Sequence, residues 1–447
     1  MNNSNTTDLT TGKPITRILS FSMPLVLGTL FQQLYSFVDS IIVGRFVSSD
    51  ALESVGATYS IKFLIIGFVQ GFCVGLGIPI AQRFGAHDHP NIQRYFYNAI
   101  YLCIAISLIF GVGMSFATRW TLTIMQTPPN LIEGAITFIQ PQFAFIWVTI
   151  LYNFSASVLR SFGDSTHPFY FLVLASFLNI ALDLWLIGLW HMEITGAAIA
   201  TIVAQLVSGL LNLLWLAKKT HMVEFKRQWF SFSPSHTKRL TYIALPMGLE
   251  YSVSAIGAVI MQMAINSLGT VAVISQTAGE KIRQIFTLPM ESIGMGMATY
   301  VGQNYGAQKL RRIHQGIRSG LLIQLCYCLF CLITIGLFAN SLSELVIGHQ
   351  PHLVELSSQY LRIMSTTFIL HGSLMIYRNT LQGLGFSMQA IFSGVGELVG
   401  RGITSLIAIA MVSYTVVCLI NPVAWALALA YCIFMVNRKL TMIEKSF

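Results

Sequence analysis

Long apolar runs separated by short polar breaks fill almost the whole chain. Runs that can hold the roughly 20 residues a membrane-crossing helix needs fall at 16–43, 52–81, 94–117, 131–160, 167–189, 195–217, 239–266, 273–300, 317–340, 353–384, 389–411 and 413–436. The pattern predicts an all-α polytopic membrane protein of about 12 transmembrane helices, six in each half. Several runs exceed the hydrocarbon thickness, which calls for tilt, kinks or helix extending past the bilayer. The longest polar stretch between spans, residues 218–238, separates residues 1–217 from 239–447 as a basic cytoplasmic linker between two lobes.

The polar breaks repeat. Leu381-Gln382-Gly383-Leu384-Gly385 lies 222 positions after Leu159-Arg160-Ser161-Phe162-Gly163, and Gln303-Asn304-Tyr305-Gly306-Ala307 lies 221 after Gln82-Arg83-Phe84-Gly85-Ala86. A shift of 222 also pairs Pro24 with Pro246. Internal duplication in an apolar chain is characteristic of secondary transporters, whose substrate path runs between the repeats. An even number of spans per half makes the repeats parallel, related by an axis along the membrane normal, with a central cavity between them. Each proline removes a hydrogen bond within a span, so Pro24 and its counterpart read as hinges or kinks.

Composition supports the membrane assignment: 54% of 447 residues are hydrophobic and 10% charged, against roughly 25% charged in soluble domains. The net charge of +9 does not report a nucleic-acid partner, because the basic residues, among them Arg83, Arg94, Arg160, Lys238, Arg312 and Lys439, gather in the tails and even-numbered loops. That asymmetry places both termini in the cytoplasm, in a multi-pass protein of the inner (cytoplasmic) membrane. The polar amino terminus carries no cleavable signal, and its sequons Asn2-Asn3-Ser4 and Asn5-Thr6-Thr7 stay cytoplasmic and unused. Cys326, Cys328 and Cys331 point to different faces of one helix and cannot converge on a metal, while His349 and His352 belong to a solvated external turn.

The informative residues are the acids within spans: Asp39, Asp183, Glu250, Glu280, Glu291 and Glu397. An ionisable group at bilayer depth costs at least about 2.5 kcal/mol and marks function by default. The halves differ here, since Met261 answers to Asp39 and Ser405 to Asp183. Asn179 stands one helical turn from Asp183, and Thr201 follows in the next span. Such oxygen donors suit a hard cation such as Na⁺, and two close carboxylates equally suit a shared proton. The alternative is that each acid pairs with Lys or Arg across helices. Glu397 and Arg401, one turn apart, read as a self-neutralising structural pair. Lys62 and Arg283 read as gate or snorkelling residues, and Glu280-Lys281 beside Arg283 as a helix end. Glycines at 67, 71, 75 and at 396, 400 predict close helix packing, and Met261, Met263, Met290, Met295 and Met297 read as core or lipid-facing side chains that could also soften a pocket.

The duplicated turns, the paired prolines and Asn179-x-x-x-Asp183 together resemble a MATE (multidrug and toxic compound extrusion) transporter along essentially the whole chain. The resemblance implies export of amphipathic, often cationic compounds by alternating access, driven by H⁺ or Na⁺, with no other cofactor and a monomeric protein in the lipid bilayer. It implies cation coupling at Asp39, Asn179, Asp183 and Thr201, with Asn153 as a further candidate, and a hinge at Pro24. Glu397, Arg401 and Glu250 are secondary candidates, as the acids another branch carries late in helix seven and in helix ten have no match. A lipid-linked sugar flippase is the alternative, supported by Lys62, Arg283, Arg362, Arg378 and Arg401. The chain lacks the P-loop, His-Glu-x-x-His and Gly-x-Ser-x-Gly patterns, so it is not read as an enzyme.

Overall fold

The computed structural model describes residues 8–220, 222–224 and 226–445; the two sequons lie outside them. Fifteen α-helices follow one another: α1 (Pro14–Phe46), α2 (Ser49–Ala57), α3 (Tyr59–Gly85), α4 (His89–Ile124), α5 (Pro129–Ala144), α6 (Ile146–Ser161), α7 (Thr166–Asp183), α8 (Glu193–Trp215), α9 (Pro234–Asn266), α10 (Thr270–Gly306), α11 (Leu310–Ile347), α12 (Pro351–Gly383), α13 (Ser387–Met411), α14 (Tyr414–Cys418) and α15 (Ile420–Glu444). Among the described residues nine helical stretches are long and apolar enough to cross a membrane, and the α5–α6 pair, bent by 54°, makes a tenth. The more polar α10 and α12, of 37 and 33 residues, have the length to complete twelve spans.

Several boundaries differ from the sequence reading, among them the breaks at Phe145 and Leu419 inside the runs 131–160 and 413–436. The run 52–81 is two helices, because Ser48 accepts a hydrogen bond from the Ala51 amide and starts α2 as a separate short helix. The linker ends at Ser233 rather than 238, since Pro234 opens α9 five residues earlier. Glu280, Lys281 and Arg283 do not mark a helix end but lie well inside α10, where Glu280 and Arg283 neutralise each other.

The duplication is written into the backbone. Left-handed residues recur at matching places: His87 (φ 56°) with Gln308 (58°), Gln126 (56°) with Gly348 (81°), Gly163 (80°) with Gly385 (84°), and His191 (53°) with Val412 (48°). Each is a turn between consecutive helices, where a positive φ reverses the chain.

Two compact units result, one containing Leu27–Tyr251, the other Leu9–Val26 with Ser252–Phe447. The chain changes unit just after Pro24 in α1 and just after Pro246 in α9. In the first unit the glycine stripe of α3 seats the start of α9. A Cβ at Gly71 would strike the Met247 carbonyl oxygen, and one at Gly75 would lie 2.5 Å from the Ala244 Cα. In the second, Gly400 lies against Ala424 in the same way. The second core gathers Tyr300, Tyr360, Phe368 and Trp425 with Ile18 and Phe21 of α1, and Met290 and Met297 are buried there whereas Met263 is exposed. Side chains such as Phe116 (85% exposed), Trp120 and Leu337 face outward, an arrangement that suits lipid.

Both segments that lead into a repeat are tied down. Arg312 donates to the carbonyls of Leu9, Thr11 and Gly12, and Lys309 Nζ to that of Thr10. The linker is held on α4: Gln93 and Tyr97 donate to the carbonyls of Met222 and Glu224, and Asn98 accepts from the Ser233 amide.

Candidate functional site

In the first unit α1, α7 and α8 bring the acids of the first repeat together. Asp39 and Asp183 are within hydrogen-bonding reach of each other. Such a bond requires a proton on one carboxyl. Without it, Asp39 Oδ1 and both Asp183 carboxylate oxygens are buried with no donor. Asp183 is 0% exposed and Asn179, one turn earlier, 1%, with neither amide atom of Asn179 hydrogen-bonded. Burying so many polar atoms without partners is costly, which sets this cluster apart from ordinary packing.

Next to it lies a small cavity lined by Gln32, Tyr35, Tyr152, Asn179, Thr201 and Gln205, among others. Thr201 Oγ1 donates to the Ala197 carbonyl, which leaves its lone pairs able to accept. Asn153 donates to the Thr149 carbonyl within its own helix and does not line this cavity. Lys62 is the charged neighbour of Asp39, and its ammonium lies 5.2 Å from the centre of the Phe138 ring. No Lys or Arg is in salt-bridge contact with either aspartate among the described residues, nor do three or more metal-ligating side chains cluster there.

The second unit handles its charges differently. Glu397 is held between two guanidinium groups, Arg378 and Arg401, with Arg401 Nη2 at 3.2 Å and Arg378 also donating to Ser393 at 2.8 Å. Arg378 was legible only as one of several basic residues; it stands 19 positions from Glu397, and no local periodicity couples them. Glu280 accepts from Arg283 at 2.8 Å, from the Tyr360 hydroxyl at 2.5 Å and from Asn421 at 3.4 Å. Arg283 is thus a paired residue rather than a snorkelling one. Glu250 falls in the first unit, at the end of its share of α9, while Glu397 and Arg401 belong to the second. Among the described residues no disulfide forms; Cys326 is exposed and Cys328 and Cys331 are buried, and His349 is exposed but paired with Glu344.

The MatE family model matches residues 24–185 and 246–400, two segments that begin at Pro24 and Pro246. The chain belongs to the MatE family. As a MatE protein it is a multi-pass membrane transporter of small molecules and not an enzyme. Among its relatives, the probable multidrug resistance protein YpnP of Bacillus subtilis is 26% identical over 388 residues, covering 86% of each chain. An FAD transporter of Shewanella oneidensis is 22% identical over 394 residues, again 86% of each. A solved outward-facing multidrug resistance MATE transporter superposes with a TM-score of 0.92 at 21% identity over 100% of both chains, a likeness of fold. The flippase alternative is not favoured by these relatives.

Proposed function

We propose that this MatE protein exports amphipathic, predominantly cationic small molecules in exchange for H⁺ or Na⁺ taken up at Asp39 and Asp183. The observation that carries the reading is the contact between these two carboxyls in an apolar lobe, without a salt-bridged base and without counterparts in the second repeat. Two carboxylates in contact repel, and in low dielectric a cation must come between them. A proton does so as a carboxyl hydrogen bond; Na⁺ does so by taking the free oxygens of Asp39, Asp183 and Asn179, with Thr201 nearby. The MatE relatives named for multidrug resistance support the substrate class.

Exchange follows from linkage. If the coupling cation and a cationic substrate each favour a different state of the same lobe, each weakens the other's binding by the same factor. Lowering pH or raising Na⁺ therefore weakens substrate binding and drives release on the side where the cation enters. The basic loops support cytoplasmic termini in the inner membrane, and on this reading the cation enters from outside, the substrate leaves from inside and one chain is the working unit. The test is efflux of a fluorescent cation from proteoliposomes under imposed H⁺ or Na⁺ gradients. Wild type should respond to one gradient and Asp39→Asn and Asp183→Asn to neither, while folded protein remains. Full transport by both variants would sink the proposal.

A further inference from the structure

A lane of polar side chains leaves the acid pair and runs along one face of α8. Thr201, Gln205, Ser208, Asn212 and Trp215 follow at intervals of four, three, four and three residues, which puts them on one helix face. The lane starts at a cavity of about 30 Å³ lined by Tyr35, Asn179, Thr201, Gln205 and Ser208, more than the roughly 10–15 Å³ one water requires. Gln205 accepts a hydrogen bond from Thr149 at 2.7 Å. Beyond it Ser208 Oγ and both amide atoms of Asn212 are buried without protein partners. Asn212 is 0% exposed.

At the far end Trp215 Nε1 donates to Asp164 Oδ2 at 3.1 Å. The same carboxylate accepts from the His167 amide at 3.1 Å and meets His167 Nδ1 at 2.7 Å. The imidazole stacks on Trp215 with ring centres 3.8 Å apart and reaches the surface through the remaining quarter of its area. These side chains thus lie between the cavity beside Asn179 and the Asp164–His167 pair, at the end of the lobe that carries Arg160 and the linker. Tyr35 and Tyr152 line the cavity, Tyr170 packs edge-on against His167 with ring centres 6.1 Å apart, and Arg160 acts electrostatically on Tyr152.

The second repeat shows that packing does not ask for these groups. Val423, Leu427, Ala430 and Phe434 stand 222 positions after Thr201, Gln205, Ser208 and Asn212, and Phe386 replaces Asp164. The polar lane is confined to the repeat that holds the acid pair. Buried amides and hydroxyls without protein partners are where ordered water is held.

We propose that this lane is the proton path between Asp39/Asp183 and the Asp164–His167 end of the lobe. It rests on the acid-pair reading above and specifies H⁺ as the ion. A carboxyl O–H of the pair breaks as the proton passes to a water beside Asn179, and each water in turn accepts one proton and gives up another. Ser208 and Asn212 orient these waters without changing their own protonation. The proton arrives on Asp164 or His167, and from there goes to bulk water. Ser208 and Asn212 are positioning residues on this account.

The experiment follows substrate-coupled proton movement with a pH-sensitive dye in proteoliposomes of wild type, Asn212→Leu, Asn212→Ser and Ser208→Ala. Proton movement should slow about tenfold in Asn212→Leu, the scale of losing one hydrogen bond that orients a water, and less in Ser208→Ala. Substrate affinity at fixed pH should stay unchanged, and Asn212→Ser, which can hold a water, should recover most of the rate. Wild-type proton rates in both Asn212→Leu and Ser208→Ala, with Asp39→Asn inactive, overturn the lane and leave the acid pair standing. Transport driven by Na⁺ without proton movement does the same. Full coupling in Asp39→Asn overturns both. Should Asn212→Leu fail to fold, Ser208→Ala alone decides.

Discussion

The two repeats share a backbone and disagree about charge. Their turns reverse at the same places with nearly the same φ, and a glycine stripe seats a neighbouring helix in each. Yet the first repeat leaves Asp39 and Asp183 to each other, whereas the second clamps Glu397 between two arginines and Glu280 among Arg283, Tyr360 and Asn421. A carboxylate already neutralised by fixed guanidinium groups has little to gain from a mobile cation. One that faces another carboxylate has much to gain. Duplication kept the scaffold while chemistry diverged, and the difference is what supports the proposed ion coupling in the first repeat.

The strongest way to break this comparison is to neutralise acids on both sides. Asp39→Asn and Asp183→Asn should each abolish gradient-driven efflux, and Glu280→Gln should leave the dependence on the ion gradient intact. Initial rates in proteoliposomes against the imposed gradient read both. Loss of ion dependence in Glu280→Gln alone would move the coupling site to the second repeat.

Next in size is an effect on stability. Glu397→Ala leaves Arg378 and Arg401 facing each other without their shared carboxylate, and removing one partner of a buried ion pair costs about 3–5 kcal/mol. The melting temperature in detergent should fall clearly, while the protein that survives keeps a wild-type pH response in transport. Asp183→Asn should do the reverse, losing transport with little thermal penalty, because it removes like-charge repulsion.

Much of this was legible before the structure, and the reasons are physical. Membrane spans follow from apolar run length alone, which is a local property, and the repeat follows from turn residues that a given φ demands, such as Gly163 and Gly385. The contact between Asp39 and Asp183 joins residues 144 positions apart and is set by packing of α1 on α7, so sequence could only nominate each acid by its cost in a membrane. Arg378 escaped for the same reason: its partner Glu397 lies across a turn, on another helix. The short α2 merged with the span after it because hydropathy does not see the Ser48 cap. Glu280 and Arg283 imitated a helix end, since three charges in four residues look like a surface until Tyr360 and Asn421 are placed beside them.

A smaller effect separates the paired prolines. Both α1 and α9 pass from one unit to the other just after a proline, but only α1 carries one of the two acids proposed to couple, Asp39. Pro24→Ala restores a backbone hydrogen bond in the helix that bears Asp39 and should reduce the yield of transport per ion gradient severalfold, by biasing a two-state element. Pro246→Ala should change the rate without changing the ion dependence. Distances between spin labels on either side of each proline, at high and low pH, test the difference. Distributions in α1 that ignore pH would make Pro24 purely structural.

The smallest expected effect lies outside the membrane, at the start of α4 and of α11. Asp88 and Lys309 occupy equivalent positions with nearly the same backbone, φ −95° in both. Asp88 caps α4 by accepting from the Asn91 amide, whereas Lys309 cannot cap and instead holds the Thr10 carbonyl. Partial desolvation works against the Asp88 carboxylate, but hydrogen bonds from Asn91 and the charge of Arg83 outweigh it and hold the carboxyl below its ordinary range. A group depressed on folding contributes stability above its unfolded pKa and loses it as pH falls through the folded value. Asp88→Ala should therefore cost about 1 kcal/mol at neutral pH, the usual worth of an N-cap, and this penalty should shrink as the pH drops below the ordinary carboxylate range. Lys309→Ala should show no such pH dependence and should instead loosen the amino-terminal segment, read as faster amide exchange at Leu9 through Gly12. Equal pH profiles for the two variants would mean that the caps have not diverged as the interiors of the repeats have.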